Sequence, residues 1–119
     1  MQNLFISYSR EDDELAQRLQ QDLEAQGYTT WVDTDRLRAG QRWTQAIEGA
    51  IKSSDVLLVI WSQTSLRSRF VEKECLFADR HGVPIIPLLA DATPLPVYLE
   101  GIQYLDLSAG NYQDGLASL

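Results

Sequence analysis

A chain of 119 residues, 45% hydrophobic and 23% charged, has the length of one globular domain and excludes a two-domain enzyme. Ten Lys and Arg against seventeen Asp and Glu give a net charge of −7, which opposes general attraction to nucleic acid or an anionic membrane. Cys75 is the single cysteine, no apolar run exceeds residues 56–61 and no signal-peptide pattern precedes residue 4, so a soluble, cytoplasmic protein is expected.

Leu4-Phe5-Ile6 is a short β-prone run that meets a helix-start signal at residues 9–12, where Ser9 is placed to cap the Asp12 amide and Asp12 to return the bond. Leu15, Ala16, Leu19 and Leu23 recur at helical spacing, which predicts an amphipathic helix over residues 11–26 closed by Gly27. Residues 28–33, Tyr-Thr-Thr-Trp-Val-Asp, read as a second strand, and the polar, basic stretch 34–42 as an exposed loop. Trp43, Ala46, Ile47, Ala50 and Ile51 mark one face of a second helix. Residues 56–60, Val-Leu-Leu-Val-Ile, form the unbroken apolar run needed by a central parallel strand with helices on both faces.

Residues 62–69 read as a polar loop and 70–81 as a third helix ended by Gly82. A fourth strand is expected at 84–89, where Pro87 argues for an end or edge position. Pro94 and Pro96 exclude a regular helix across 90–101; a short fifth strand at 102–107 and the start of a last helix at 111–119 complete the reading. Strands alternating with helices predict an α/β fold, a central five-stranded parallel sheet flanked by helices on both faces. Residues 1–119 read as a single domain, excised from a longer multidomain protein.

In open parallel sheets ligands bind beyond the carboxyl ends of the strands, which here means loops 7–10, 33–42 and 61–69. Neither GxGxxG nor GxxxxGK[ST] occurs, so there is no dinucleotide-binding Rossmann turn and no P-loop. A phosphorelay receiver needs an aspartate at the end of the third strand, where Trp61 and Ser62 stand. Cys75 and His81, six apart on one helix, face different ways, and the lone histidine has no metal-ligating cluster around it. Arg36, Arg38, Arg42, Arg67, Arg69 and Lys73 put six of the ten cations into two short segments, which leaves room for a small anionic ligand. Glu74 follows Phe70 by four residues and precedes Phe77 by three, so it shares a helical stripe with two aromatic rings that could desolvate it. The alternative is a surface glutamate capped by Arg67 or Arg69.

The segments LFISYSRED, WVDTDRLRAG, SSDVLLVIWS and FVEKECLFA, in that order within residues 4–107, resemble the Toll/interleukin receptor (TIR) domain family, in particular its NAD-cleaving bacterial-type members. The resemblance implies a flavodoxin-like TIR fold and names 34–42 as the loop through which such domains pack on one another. Two functions follow from it. One is an NAD+ glycohydrolase (NADase) that releases nicotinamide and ADP-ribose or a cyclic ADP-ribose and is activated by self-association, in signalling or immune defence, including anti-phage defence. The other is a non-catalytic scaffold for homotypic interaction in signal transduction. NAD+ would be substrate, so no resident cofactor or metal is implied, and the partners are other TIR domains, not nucleic acid or membrane.

In catalytic members a tryptophan stands four residues before the catalytic glutamate, and Phe70 to Glu74 has that spacing. Glu74 therefore carries over as the catalytic candidate, with Phe70 as an aromatic wall that lacks the indole donor. The remaining positions carried over for binding are Ser9, Arg10, Asp33, Arg36, Leu37, Trp43 and Ser62. Arg36 is placed for phosphate, Trp43 for stacking on a base or for core packing, and Leu37 for an interface. One carboxylate suffices for this chemistry, because nicotinamide is a cationic leaving group that departs neutral without a proton, and the carboxylate stabilises the oxocarbenium-like ribose.

Overall fold

The computed structural model describes residues 2–32, 45–108 and 110–119. Strands β1 (Asn3–Ser7), β2 (Thr29–Val32), β3 (Val56–Trp61), β4 (Ile85–Leu89) and β5 (Leu105–Asp106) pair in parallel in the order β2-β1-β3-β4-β5. The unbroken apolar strand β3 is the middle of the sheet, as its composition predicts. Strand order reverses between β1 and β3, so the cleft beyond their carboxyl ends is where such a sheet accepts a ligand.

Alternation along the strands sorts the core into two layers. Leu4, Ile6 and Tyr8, with Leu58 and Ile60, pack under helix α1 (Asp13–Ala25) and the short helix α4 (Tyr112–Ala117). Phe5, Leu57, Val59 and Trp61 pack on the opposite face under α2 (Gln45–Lys52) and α3 (Arg69–Arg80). Each fully buried Leu, Ile or Val side chain adds about 1.5–3 kcal/mol relative to exposure. Ser7, two residues beyond Phe5 on β1, falls on the α3 side.

The structure departs from the sequence reading in four places. Residues Arg10–Asp12 form a single 3-10 turn before α1. That turn commits the Asp12 amide to the Ser9 carbonyl (2.9 Å), and the Ser9 hydroxyl donates to the Asp12 carboxylate (3.0 Å) instead of capping the amide. Most of 62–69 is a 3-10 turn, Gln63–Arg67, tightened by the Ser62 amide donating to Ser65 Oγ at 3.0 Å. The fifth strand is only Leu105–Asp106, shorter than 102–107.

Strand β4 is not an edge, despite Pro87. The Ala90 amide bonds the Trp61 carbonyl of β3 (2.8 Å), and alternate residues of a parallel strand point their amides the same way. Pro87 is out of phase with Ala90, so its missing N–H faces β5, whose pairing begins only at Leu88. No ladder bond is lost.

The loop after β4 is clamped to the end of β3. Asp91 accepts from the amides of Gln63 (3.0 Å) and Thr93 (2.9 Å), and Trp61 Nε1 donates to the Pro94 carbonyl at 2.9 Å. The Thr93 side chain first, and then these amides, hold the Asp91 carboxyl below the ordinary carboxylate range against an opposing desolvation effect. A carboxyl whose folded pKa is lowered stabilises the fold above its unfolded pKa, and that contribution is lost as pH falls through the folded value. Thermal melts from pH 7 to 3 are therefore expected to show wild type above Asp91→Asn at neutral pH, with the gap closing in acid.

Candidate functional site

Helix α3 opens at Ser68, whose hydroxyl accepts from the Val71 amide (3.2 Å). Its buried residues are Val71, Glu74, Cys75 and Ala78, the i, i+3, i+4, i+7 stripe that faces the sheet. A glutamate thus occupies a core position, with 0% of its surface exposed. Burying a carboxylate costs several kcal/mol unless hydrogen bonds offset it. One such bond comes from Ser7 at the end of β1, itself 0% exposed, whose hydroxyl donates to Glu74 Oε1 at 2.6 Å. Glu74 is accordingly not a surface residue capped by Arg67 or Arg69, which are both exposed. Phe70 and Phe77 stand half-buried on the shoulders of the stripe.

A second polar cluster lies where the β1 and β3 loops meet. Asp12 Oδ2 accepts from Ser9 Oγ (3.0 Å), Ser62 Oγ (2.5 Å) and, at longer range, Thr64 Oγ1 (3.4 Å). Thr64 Oγ1 is also 2.6 Å from Ser9 Oγ and 2.9 Å from Ser62 Oγ, and Ser65 Oγ donates to the Ile60 carbonyl at 2.9 Å. The Ser9 and Ser62 hydroxyls are both directed at Asp12, and Thr64 Oγ1 lies within hydrogen-bond distance of each of them.

Of the residues singled out in the sequence, Ser9 and Ser62 are brought together through Asp12. Glu74 is buried in α3, Phe70 lies one turn before it, and Arg10 is exposed on the first 3-10 turn. Asp33, Arg36, Leu37 and Trp43 lie outside the described residues. Sequence reasoning passed over Ser7, Asp12, Thr64 and Ser65 as site residues. For Ser7 the signal was available, since a serine two residues after Phe5 in a strand buried on both faces needs a polar partner there.

Cys75 is buried and His81 is exposed against the Phe77 ring, with centroids 4.3 Å apart, so the two do not act as a pair. Among the described residues, no group of three or more His, Cys, Asp or Glu could hold a metal ion, and no helix is long and apolar enough to cross a membrane.

The arrangement can be set beside known proteins. A protein of Methanobrevibacter olleyae named as the probable 2′ cyclic ADP-D-ribose synthase TcpO is 30% identical over 95 residues, which are 76% of this chain and 28% of the relative. The chain thus spans under a third of that relative's length. The TIR domain of the Toll-related receptor TRR-2 from Hydra magnipapillata superposes with a TM-score of 0.75 at 27% identity, over 89% of this chain and 84% of that one. A prokaryotic SEFIR domain shares the fold, with a TM-score of 0.76 at 18% identity, over 99% of this chain and 89% of that one. The family model for the TIR domain matches residues 4–119, from the first strand to the last helix of this parallel sheet, and the chain belongs to the TIR domain family.

Proposed function

We propose that this TIR domain is an NAD+ glycohydrolase with Glu74 as its catalytic carboxylate. The observation that carries the reading is a glutamate held in the apolar stripe of α3 by the Ser7 hydroxyl, at the carboxyl ends of strands next to the point where strand order reverses. Such a carboxylate is costly to bury and adds nothing to packing that an apolar side chain would not supply, so its use is chemical. The relative named as a probable 2′ cyclic ADP-D-ribose synthase supports the same substrate class.

In the proposed reaction the bond between the nicotinamide nitrogen and ribose C1′ breaks, and both electrons leave with nicotinamide, which becomes neutral. The positive charge passes to the ribose, where Glu74 stabilises it and orients the ribose hydroxyls. Water then adds at C1′ and releases a proton to give ADP-ribose, or an acceptor within the same molecule adds, likewise releasing a proton, and gives a cyclic ADP-ribose. Ser9 and Ser62 line the approach, and Phe70 walls the ribose. Arg10, Asp33, Arg36 and Trp43 complete the binding set in this reading, with Arg36 on the pyrophosphate.

Glu74 is shielded from solvent in the single chain, so substrate reaches it only after the covering side chains move. Self-association through loop 34–42, with Leu37 at the contact, is the proposed trigger. A role in signalling or immune defence belongs to the same reading. The test is nicotinamide release from NAD+ by dilute protein and by protein clustered on a surface. The expected result is a rate per molecule that rises about tenfold or more on clustering and stays flat in Leu37→Asp, on the scale by which raised local concentration strengthens binding. Silence in folded, clustered protein overturns the enzyme reading and leaves homotypic scaffolding.

A further inference from the structure

We propose that Asp12 is a positioning residue that sets the Ser7–Glu74 pair from a distance, an inference that for its kinetic consequence rests on the NAD+-cleaving reading. Asp12 belongs to the turn before α1 and touches neither partner of that pair. It is nevertheless a point at which the two segments carrying them are joined, beside the direct 2.6 Å contact between Ser9 Oγ and Thr64 Oγ1.

On one side, Ser9 donates to Asp12 and lies two residues beyond Ser7. On the other, Ser62 donates to the same oxygen at 2.5 Å and starts a ladder that runs into α3. The Ser62 amide bonds Ser65 Oγ (3.0 Å), the Ser68 amide bonds the Ser65 carbonyl (3.1 Å), and the Val71 amide bonds Ser68 Oγ (3.2 Å). Each step advances three residues, and the next buried position is Glu74. The carboxylate at position 12 thus clasps the carboxyl end of β1 to the amino end of α3, on either side of the 2.6 Å bond between Ser7 and Glu74.

A carboxylate is the group this task requires. Two hydroxyl donors from loops about fifty residues apart converge on one oxygen, with Thr64 as a third at longer range, and bonds to an ionised acceptor are roughly twice as strong as neutral ones. An asparagine keeps the shape and can set its amide oxygen where the hydroxyls converge, but it loses the charge, so those bonds fall from charge-assisted to neutral strength. The two loops are then held less firmly, and the carboxylate of Glu74 loses its fixed direction. Misplacement on the ångström scale is enough to slow a positioned reaction by one to two orders of magnitude.

The experiment is a double-mutant cycle of Asp12→Asn and Ser7→Ala in the full chain, read by kcat and KM for NAD+, together with the side-chain carboxyl ¹³C resonance of Glu74. Asp12→Asn is expected to lower kcat about tenfold, with KM changed less than about threefold, and to shift the Glu74 resonance. The double variant should be no slower than Ser7→Ala alone, because both changes act on the same pair. Multiplying losses with an unmoved resonance overturn the proposal, as does a rise in KM at unchanged kcat. If wild type releases no nicotinamide, the NAD+ reading falls, and the resonance alone decides the positioning role. Ser62→Ala, which removes the shortest bond to Asp12, replaces Asp12→Asn if that variant does not fold, and because Ser62 also lines the substrate approach it is judged by kcat and the Glu74 resonance: both unmoved overturn the proposal.

Discussion

Glu74→Gln is expected to reduce nicotinamide release by about a thousandfold, the scale on which removal of a preorganised charge-stabilising group slows an enzyme. The substitution keeps the length and the acceptor oxygen that Ser7 bonds, and removes only the charge that would face the oxocarbenium-like ribose. KM should change little, because the lost interaction strengthens only as charge develops. Stability provides the independent check. A carboxylate kept for the fold would take stability with it, whereas one kept for chemistry is a desolvation burden, so Glu74→Gln should melt at or above the wild-type temperature. Nicotinamide release that survives in folded Glu74→Gln would remove the catalytic assignment. Release and stability lost together would make Glu74 a structural residue.

How much of this was legible in the sequence depends on how far apart the interacting groups lie. The central position of β3 was readable from five consecutive apolar residues, because only a strand covered on both faces needs them. The stripe containing Glu74 was readable too, although the register that matters is Val71, Cys75 and Ala78, with Phe70 and Phe77 on its shoulders. Pro87 misled because the sequence records a missing N–H without saying which neighbour it faces. The short strand β5 begins one residue too late to need it.

The Ser9–Asp12 spacing was recognised as a helix start, yet the chemistry inverted. Besides Ser9 itself, the donors that converge on the Asp12 carboxylate come from Ser62 and Thr64, 50 and 52 residues away. The partner of Glu74 is farther still, 67 residues back at Ser7. Local pattern places each side chain on a face, but only the order of the strands decides which faces meet. β1 lies beside β3 with α3 across them, so the end of one strand reaches the core stripe of a helix late in the chain.

Ser7 therefore carries the second large effect. Ser7→Ala removes a hydrogen bond to a buried carboxylate, a class of interaction contributing about 1.5–3 kcal/mol, which corresponds to about 10- to 150-fold in rate if the bond is needed in the transition state. The loss should fall on kcat, because the Ser7 hydroxyl is committed to Glu74 Oε1 and acts through the direction it gives that carboxylate. Ser7→Cys, with a weaker donor in nearly the same shape, should fall between alanine and wild type, an ordering that a packing role would not produce. The measurement is steady-state nicotinamide release by the three proteins at matched clustering, with melting temperatures alongside. Equal kcat in all three would mean that the Ser7–Glu74 bond belongs to the resting fold and is broken before the reaction. A graded loss in kcat at constant KM would mean that the buried Ser7–Glu74 pair is the one that works.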